Sequence, residues 1–220
     1  MKLLTIDEFN QAVGGCVSQV FFKKDPWYSS FQPRIAVRRI IYPINAVIEG
    51  VTLNAICEAA ESVGDEGCYV ADLKYNRELS DYVEYAPVYL DIAEFREGYV
   101  FDYGTFMICS PSSSWGVLGS VEHHALIGGT HNFMEVFEHD SPDLETQLNE
   151  FLRYHKTYAT PSALVNFLPV LKDLLSHLYS TERAKQLIKK AGFLNMLNDV
   201  LMHLYSAEKV EQWIKKEDLI

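Results

Sequence analysis

Cysteine is sparse in this chain and never paired in sequence. Cys16, Cys57, Cys68 and Cys109 lie far apart, with no Cys-x-x-Cys among them. That spacing excludes the common zinc and dithiol motifs and points to separate buried thiols in a reducing cytoplasm. Long apolar runs are missing too: no stretch approaches the ~18 consecutive apolar residues of a membrane-crossing helix. The opening residues, MKLLTIDEFNQAV, carry one lysine and then acids, without the apolar core of a signal peptide. Positive charge is scarce where most of the chain lies. Residues 1–150 hold 9 Lys+Arg against 23 Asp+Glu, a balance of −14. Nucleic-acid binding requires a basic face with interleaved aromatics, so this composition excludes it.

Catalytic signatures are absent as well. There is no Gly-x-Ser-x-Gly, and Gly119-Ser120 falls at an expected hairpin turn rather than a strand-to-helix elbow. Gly128-Gly129-Thr130 could hold an anion at a helix start, but no Lys follows it at phosphate-loop spacing. It reads as a tight turn with a helix cap. No pair of carboxylates is singled out for glycoside chemistry, and no cofactor motif is present.

What the chain does contain is a duplication. Residues Phe167 to Leu194 align with Phe193 to Ile220 at an offset of 26 without a gap, and 14 of the 28 pairs are identical. The shared core is His177-Leu178-Tyr179-Ser180-x-Glu182 against His203-Leu204-Tyr205-Ser206-x-Glu208. Each copy reads as two helices. In the first, Phe167, Leu168, Leu171, Leu174, Leu175 and Leu178 form one apolar helical face. Ser180 caps a shorter helix that ends in Lys189-Lys190 before Gly192. Pro169 either kinks the first helix or marks its start. Two repeats are too few for a free-standing solenoid, so the pair is expected to dock on the preceding domain. His177 and His203 hold equivalent positions and read as packing residues between helices.

Upstream, the pattern predicts an α+β domain with a mixed or antiparallel sheet over residues 1–157, followed by a four-helix tandem repeat over 158–220. Thr5 and Glu8 are spaced as a capping box for a first helix. Cys16 to Phe22 and Ile35 to Tyr42 read as strands, and Thr52 as the cap of a helix running to Gly64. Cys68 to Leu73 and Tyr99 to Cys109 have strand composition, whereas the tyrosine- and acid-rich residues 75 to 98 are ambiguous. Trp115 to Leu118 and His124 to Ile127 read as an antiparallel pair. Thr130 and Ser141-Pro142-Asp143 signal the starts of two further helices, and Thr160-Pro161 repeats that signal.

Two residue sets are candidates for function. Asp65, Glu66, Asp72, Glu78, Asp81, Glu84, Asp91, Glu94 and Glu97 concentrate negative charge and suit a basic protein partner, whose encounter they would accelerate. His123, His124, His131 and His139, with acids nearby, are the only cluster with metal-ligand chemistry, and a zinc site of that kind would make the chain a hydrolase. Adjacent His123 and His124 on a strand would face opposite ways, so at most one could join a given site.

The run Ser114-Trp-Gly-Val-Leu-Gly-Ser, with Ala125-Leu-Ile-Gly-Gly-Thr and an aromatic helix after it, resembles strand pairs in immunity proteins of bacterial polymorphic and contact-dependent toxin systems. That resemblance, about 25 residues long, implies a non-enzymatic cytoplasmic protein that binds and blocks a cognate toxin. An acidic inhibitor suits a basic target such as a nuclease. The adaptor built on the helical repeat and the metal-dependent hydrolase are the other two classes the sequence allows.

Overall fold

The computed structural model describes residues 1–28, 30–44, 47–158, 161–196, 212 and 214–217. The chain divides into two compact units, Met1–Pro26 with Ser30–Gln147, and Trp27–Ser29 with Leu148–Ile220. The division falls at Gln147/Leu148, ten residues before the expected boundary at 157.

In the first unit, β1 (Lys2–Leu3) leads into α1 (Ile6–Val20). The Thr5/Glu8 capping box is formed, with the Thr5 hydroxyl accepting from the Glu8 amide at 3.2 Å. The sequence placed a strand at Cys16 to Phe22, but the helix continues to Val20. The apolar positions Phe9, Val13 and Val20 keep a helical period, and burying that face outweighs the local β preference of the valines.

Then follow β2 (Val37–Ile41), β3 (Val47–Ile48) and α2 (Gly50–Ser62). Glu49, not Thr52, is the N-cap residue of α2, so Thr52 lies inside the helix. Strands β4 (Gly67–Asn76) and β5 (Asp81–Asp91) form a long hairpin ending in α3 (Ile92–Arg96). The segment Tyr99 to Cys109 is not one strand. It splits into β6 (Tyr99–Val100) and β7 (Phe106–Cys109), because residues 101–105 turn around Gly104 at φ +67°. The pair β8 (Trp115–Gly119) and β9 (Ala125–Gly129) and the helix α4 (His131–Asp140) fall where their sequence signals put them.

Seven strands join one antiparallel sheet in the order β1-β5-β4-β7-β8-β9-β2, while β3 pairs with β6 apart from it. Strands β7, β8 and β9 are buried at every position. A strand buried on both faces reads as a continuous apolar run, which is why β8 and β9 were legible. One face receives α1 and the residues after it: a methyl group at Gly116 would lie 2.5 Å from the Phe21 ring and 2.8 Å from Val20. The other receives α2 and α4, whose Ala55, Ile56, Phe133 and Phe137 share a buried cluster with Val70, Ile108 and Val117.

In the second unit, α5 (Leu144–Tyr158), most of which belongs here, is followed by α6 (Pro161–Leu178) and α7 (Thr181–Lys190). Leu168, Leu171, Leu174, Leu175 and Leu178 are buried, as the apolar stripe predicts. Ser180 caps α7, its hydroxyl accepting from the Arg183 amide at 3.2 Å. Pro169 lies well inside α6 rather than at its start. These two helices are the first repeat copy. Most of the second, including His203, lies outside the described residues. Trp27, Phe151, His155 and Phe167 gather their rings into one aromatic cluster, with centroids 4.5 to 6.0 Å apart in the recorded pairs.

Candidate interaction surface

The nine acids proposed from sequence do not form one patch. Asp65 and Asp72 are buried, 6% and 2% exposed, so they leave the surface set. Oδ2 of Asp65 accepts from Ser110 Oγ at 2.8 Å, Ser112 Oγ at 3.0 Å and the Trp115 indole N–H at 2.9 Å. Buried carboxylates persist only when hydrogen-bonded in this way. Asp72 accepts from the Tyr103 amide at 3.2 Å, and burial pushes its carboxyl above the ordinary carboxylate range. Both acids hold loops to the sheet.

The other seven separate to opposite ends of the β4–β5 hairpin. Glu66, Asp91, Glu94 and Glu97 lie where Gly67 pairs with Asp91. Asp91 and Glu94 form the capping box of α3, and Glu94 also holds the N-terminal ammonium. Beside them Arg96 pairs with Glu58 at 2.8 Å and Glu61 at 3.0 Å. Glu78, Asp81 and Glu84 sit at the far end, where Asn76 pairs with Asp81. Ten strand residues at about 3.3 Å each put roughly 30 Å between the two groups.

That far end carries the residues the sequence did not single out. Strand β7 pairs with β4 only from Tyr69 to Asp72, so the hairpin beyond runs on as a two-stranded ribbon. Tyr75 packs edge-on to Tyr82 at 5.4 Å, and Lys74 Nζ lies 3.8 Å from the Tyr85 ring and 4.2 Å from that of Tyr103. The hydrogen bond with Tyr103 raises the Lys74 ammonium above its usual range. Tyr75, Leu79, Tyr85 and Tyr103 are all more than 40% exposed. From sequence, residues 75 to 98 are ambiguous; the signal that could have found the ribbon is the alternation of Tyr82 and Glu84 with Val83 and Tyr85 along β5.

Between this ribbon and α1 lies a cleft of about 280 Å³. Phe9, Gly14, Val17 and Phe22 line it together with Lys23, Lys24, Asp81 and Glu84. Glu84 Oε1 pairs with Lys24 Nζ at 2.9 Å, both side chains being largely buried.

The histidines do not converge. His123 is exposed at φ +65° in the turn before β9, whereas His124 is buried with Nε2 3.3 Å from the Pro26 carbonyl oxygen. His139 is exposed beside Asp140. Among the described residues no three His, Cys, Asp or Glu side chains come together as a metal site. Gly129-Thr130 serves as the cap of α4, with Thr130 Oγ1 accepting from the Phe133 amide at 3.5 Å. The cysteines are free thiols; Cys57, Cys68 and Cys109 are buried, and burial raises the Cys57 thiol to about 11, far from a reactive thiolate. No helix among the described residues is long and apolar enough to cross a membrane. Comparison of the chain with protein-family models, curated proteins and solved structures finds no match.

Proposed function

We propose that this chain is a non-enzymatic binding protein of the immunity type, which neutralises a cognate toxin by covering a basic surface of it. The observation that supports this reading is the β4–β5 ribbon, where the exposed Tyr75, Tyr85 and Tyr103 stand near the carboxylates of Glu78 and Asp81. Tyrosine combines a large apolar ring with a polar tip and dominates interface energetics, while rim carboxylates steer a basic partner and select it. The −14 balance of residues 1–150 adds a long-range field of the same sign.

The test is co-production with the product of the adjacent reading frame. Cells should survive that product only when this chain is present, and the purified pair should form a complex that weakens about tenfold or more between low and high salt. Replacing Tyr75 and Tyr85 together by alanine should cost about 2 kcal/mol or more of binding. Absence of any complex at low salt would sink the reading.

A further inference from the structure

We infer that the loop from Phe22 to Ser30 is a strap through which the first unit controls the order of the helical unit, with Trp27 as its working residue. The chain leaves the first unit after Pro26 and rejoins it at Ser30. Trp27 therefore packs within a unit whose other helical residues begin only at Leu148.

Both ends of the loop are fixed in the first unit. At its base Phe21 and Phe31 form a β-bridge, their buried rings 5.3 Å apart. The Ser30 carbonyl accepts from the Phe22 amide at 2.7 Å and the Lys23 amide at 3.4 Å. The Ser30 hydroxyl, fully buried, donates to the Asp25 carbonyl. Just before the tip, the Pro26 carbonyl lies 3.3 Å from Nε2 of His124, a fully buried residue at the entry to β9. Residues held in this way have already lost their conformational freedom, so seating Trp27 costs little further entropy. Release of the base would restore that cost.

The tip meets two helices of the second unit. The Trp27 ring lies 6.0 Å from Phe151 and 5.1 Å from His155 on α5, and 5.7 Å from Phe167 on α6. Among the described residues α6 packs closely along α7, whereas α5 makes no comparably close backbone approach to either. Large rings at the contact are what can join helices whose backbones stay apart, and an indole offers the largest of them. Phe167 opens the first copy of the 26-residue repeat, so the strap bears on the repeat at its first residue. Order in α5 and α6 then depends on a loop whose own geometry is set by the sheet domain. Regions with few buried contacts open locally at low free energy, and α5 is the helix most exposed to that fate.

Hydrogen exchange of the full chain, resolved to peptides by mass spectrometry, tests the strap under native conditions. Trp27→Ala should speed exchange in α5 and α6 roughly tenfold or more, while β7, β8 and β9 stay as protected as in the parent. Trp27→Leu, a milder truncation, should do the same by a smaller factor and serves if the alanine variant does not fold. Tyr28→Ala, at the exposed neighbour, should change neither unit. The decisive variant is Ser30→Ala, which loosens the base of the loop within the first unit and leaves Trp27 in place. It should also speed exchange in α5 and α6. Unchanged exchange in both helices on Trp27→Ala overturns the strap, and so does an equal rise in both units, the mark of ordinary packing loss in one cooperative fold. A Ser30→Ala effect confined to residues 21–31 would show that Trp27 packs without transmitting anything, and the strap would fall.

Discussion

The Trp115 indole N–H points at Oδ2 of Asp65 from 2.9 Å, and the two residues come from a buried strand and the turn after α2. Ser110 and Ser112 converge on the same oxygen, so one carboxylate holds the 110–114 loop and the start of β8 together. The Trp115 ring in turn stacks on Phe133 of α4 at 5.0 Å. Removing the carboxylate would leave the Trp115 indole N–H buried without its acceptor, whereas the Ser110 hydroxyl keeps Ser112 Oγ at 2.8 Å and Ser114 Oγ at 3.3 Å. Asp65→Ala is therefore expected to destabilise by about 3 kcal/mol, and Asp65→Asn, which keeps one oxygen, by less. Chemical denaturation followed by tryptophan fluorescence measures both. Equal stability of Asp65→Ala and the parent would show that the network contributes nothing.

Ala86 stands at φ +47° where β5 bulges, opposite the register shift between Val70 and Asp72 of β4. A side chain in the left-handed region is strained, and glycine adopts it freely. Ala86 is exposed, so no burial is lost on replacement. Ala86→Gly should stabilise the domain by about 0.5–1 kcal/mol, seen as a higher denaturation midpoint. An unchanged or lower midpoint would mean that the bulge holds no strain at this residue.

Much of the first unit was legible because its signals are local. The Thr5/Glu8 box, the Thr130 cap and the buried β8 and β9 runs all depend on neighbours in sequence, and each stands where it was expected. Cys16 to Phe22 misled because its valines favour a strand, and only the tertiary burial of Phe9, Val13 and Val20 decides for helix. The acids misled differently. Asp65 and Glu66 are adjacent, yet one is buried under Trp115 and the other exposed. Composition counts charge, whereas the fold decides which charges reach the surface. The cleft was invisible for the same reason: Gly14 and Glu84 are 70 positions apart, and no sequence pattern joins them.

Gly129 closes β9 against α4. A methyl group there would lie 2.6 Å from Cδ1 of the Phe133 ring and 3.2 Å from its Cβ. Phe133 cannot yield, since it is fully buried with Trp115 on one side and Phe137 at 6.4 Å. Gly129→Ala should cost about 1–3 kcal/mol by overpacking. The deeper Phe133→Leu change in the same background should recover part of that loss, because it vacates the space the methyl group enters. Calorimetric melting of the single and double variants tests this, and strict additivity of the two would argue against a direct clash.

His155 reports on the second unit. It is 9% exposed among the rings of Trp27, Phe151, Tyr154 and Phe167, and burial lowers its imidazole from the ordinary 6.5 to about 4. The folded unit therefore holds it neutral, while the unfolded chain takes up a proton at ordinary pH values near 6.5. Above 6.5 both states are neutral and the stability is fully present. As pH falls from 6.5 toward 4 the unfolded state is favoured progressively, so stability drops through that window. Surface carboxylates also titrate at its lower end, so the wild type alone cannot isolate the histidine. His155→Phe keeps an aromatic ring in the cluster and removes the titration. Between pH 7 and pH 5 the wild type should lose several degrees of Tm more than His155→Phe. Parallel Tm-against-pH curves for the two proteins would show that His155 is not held neutral by its burial.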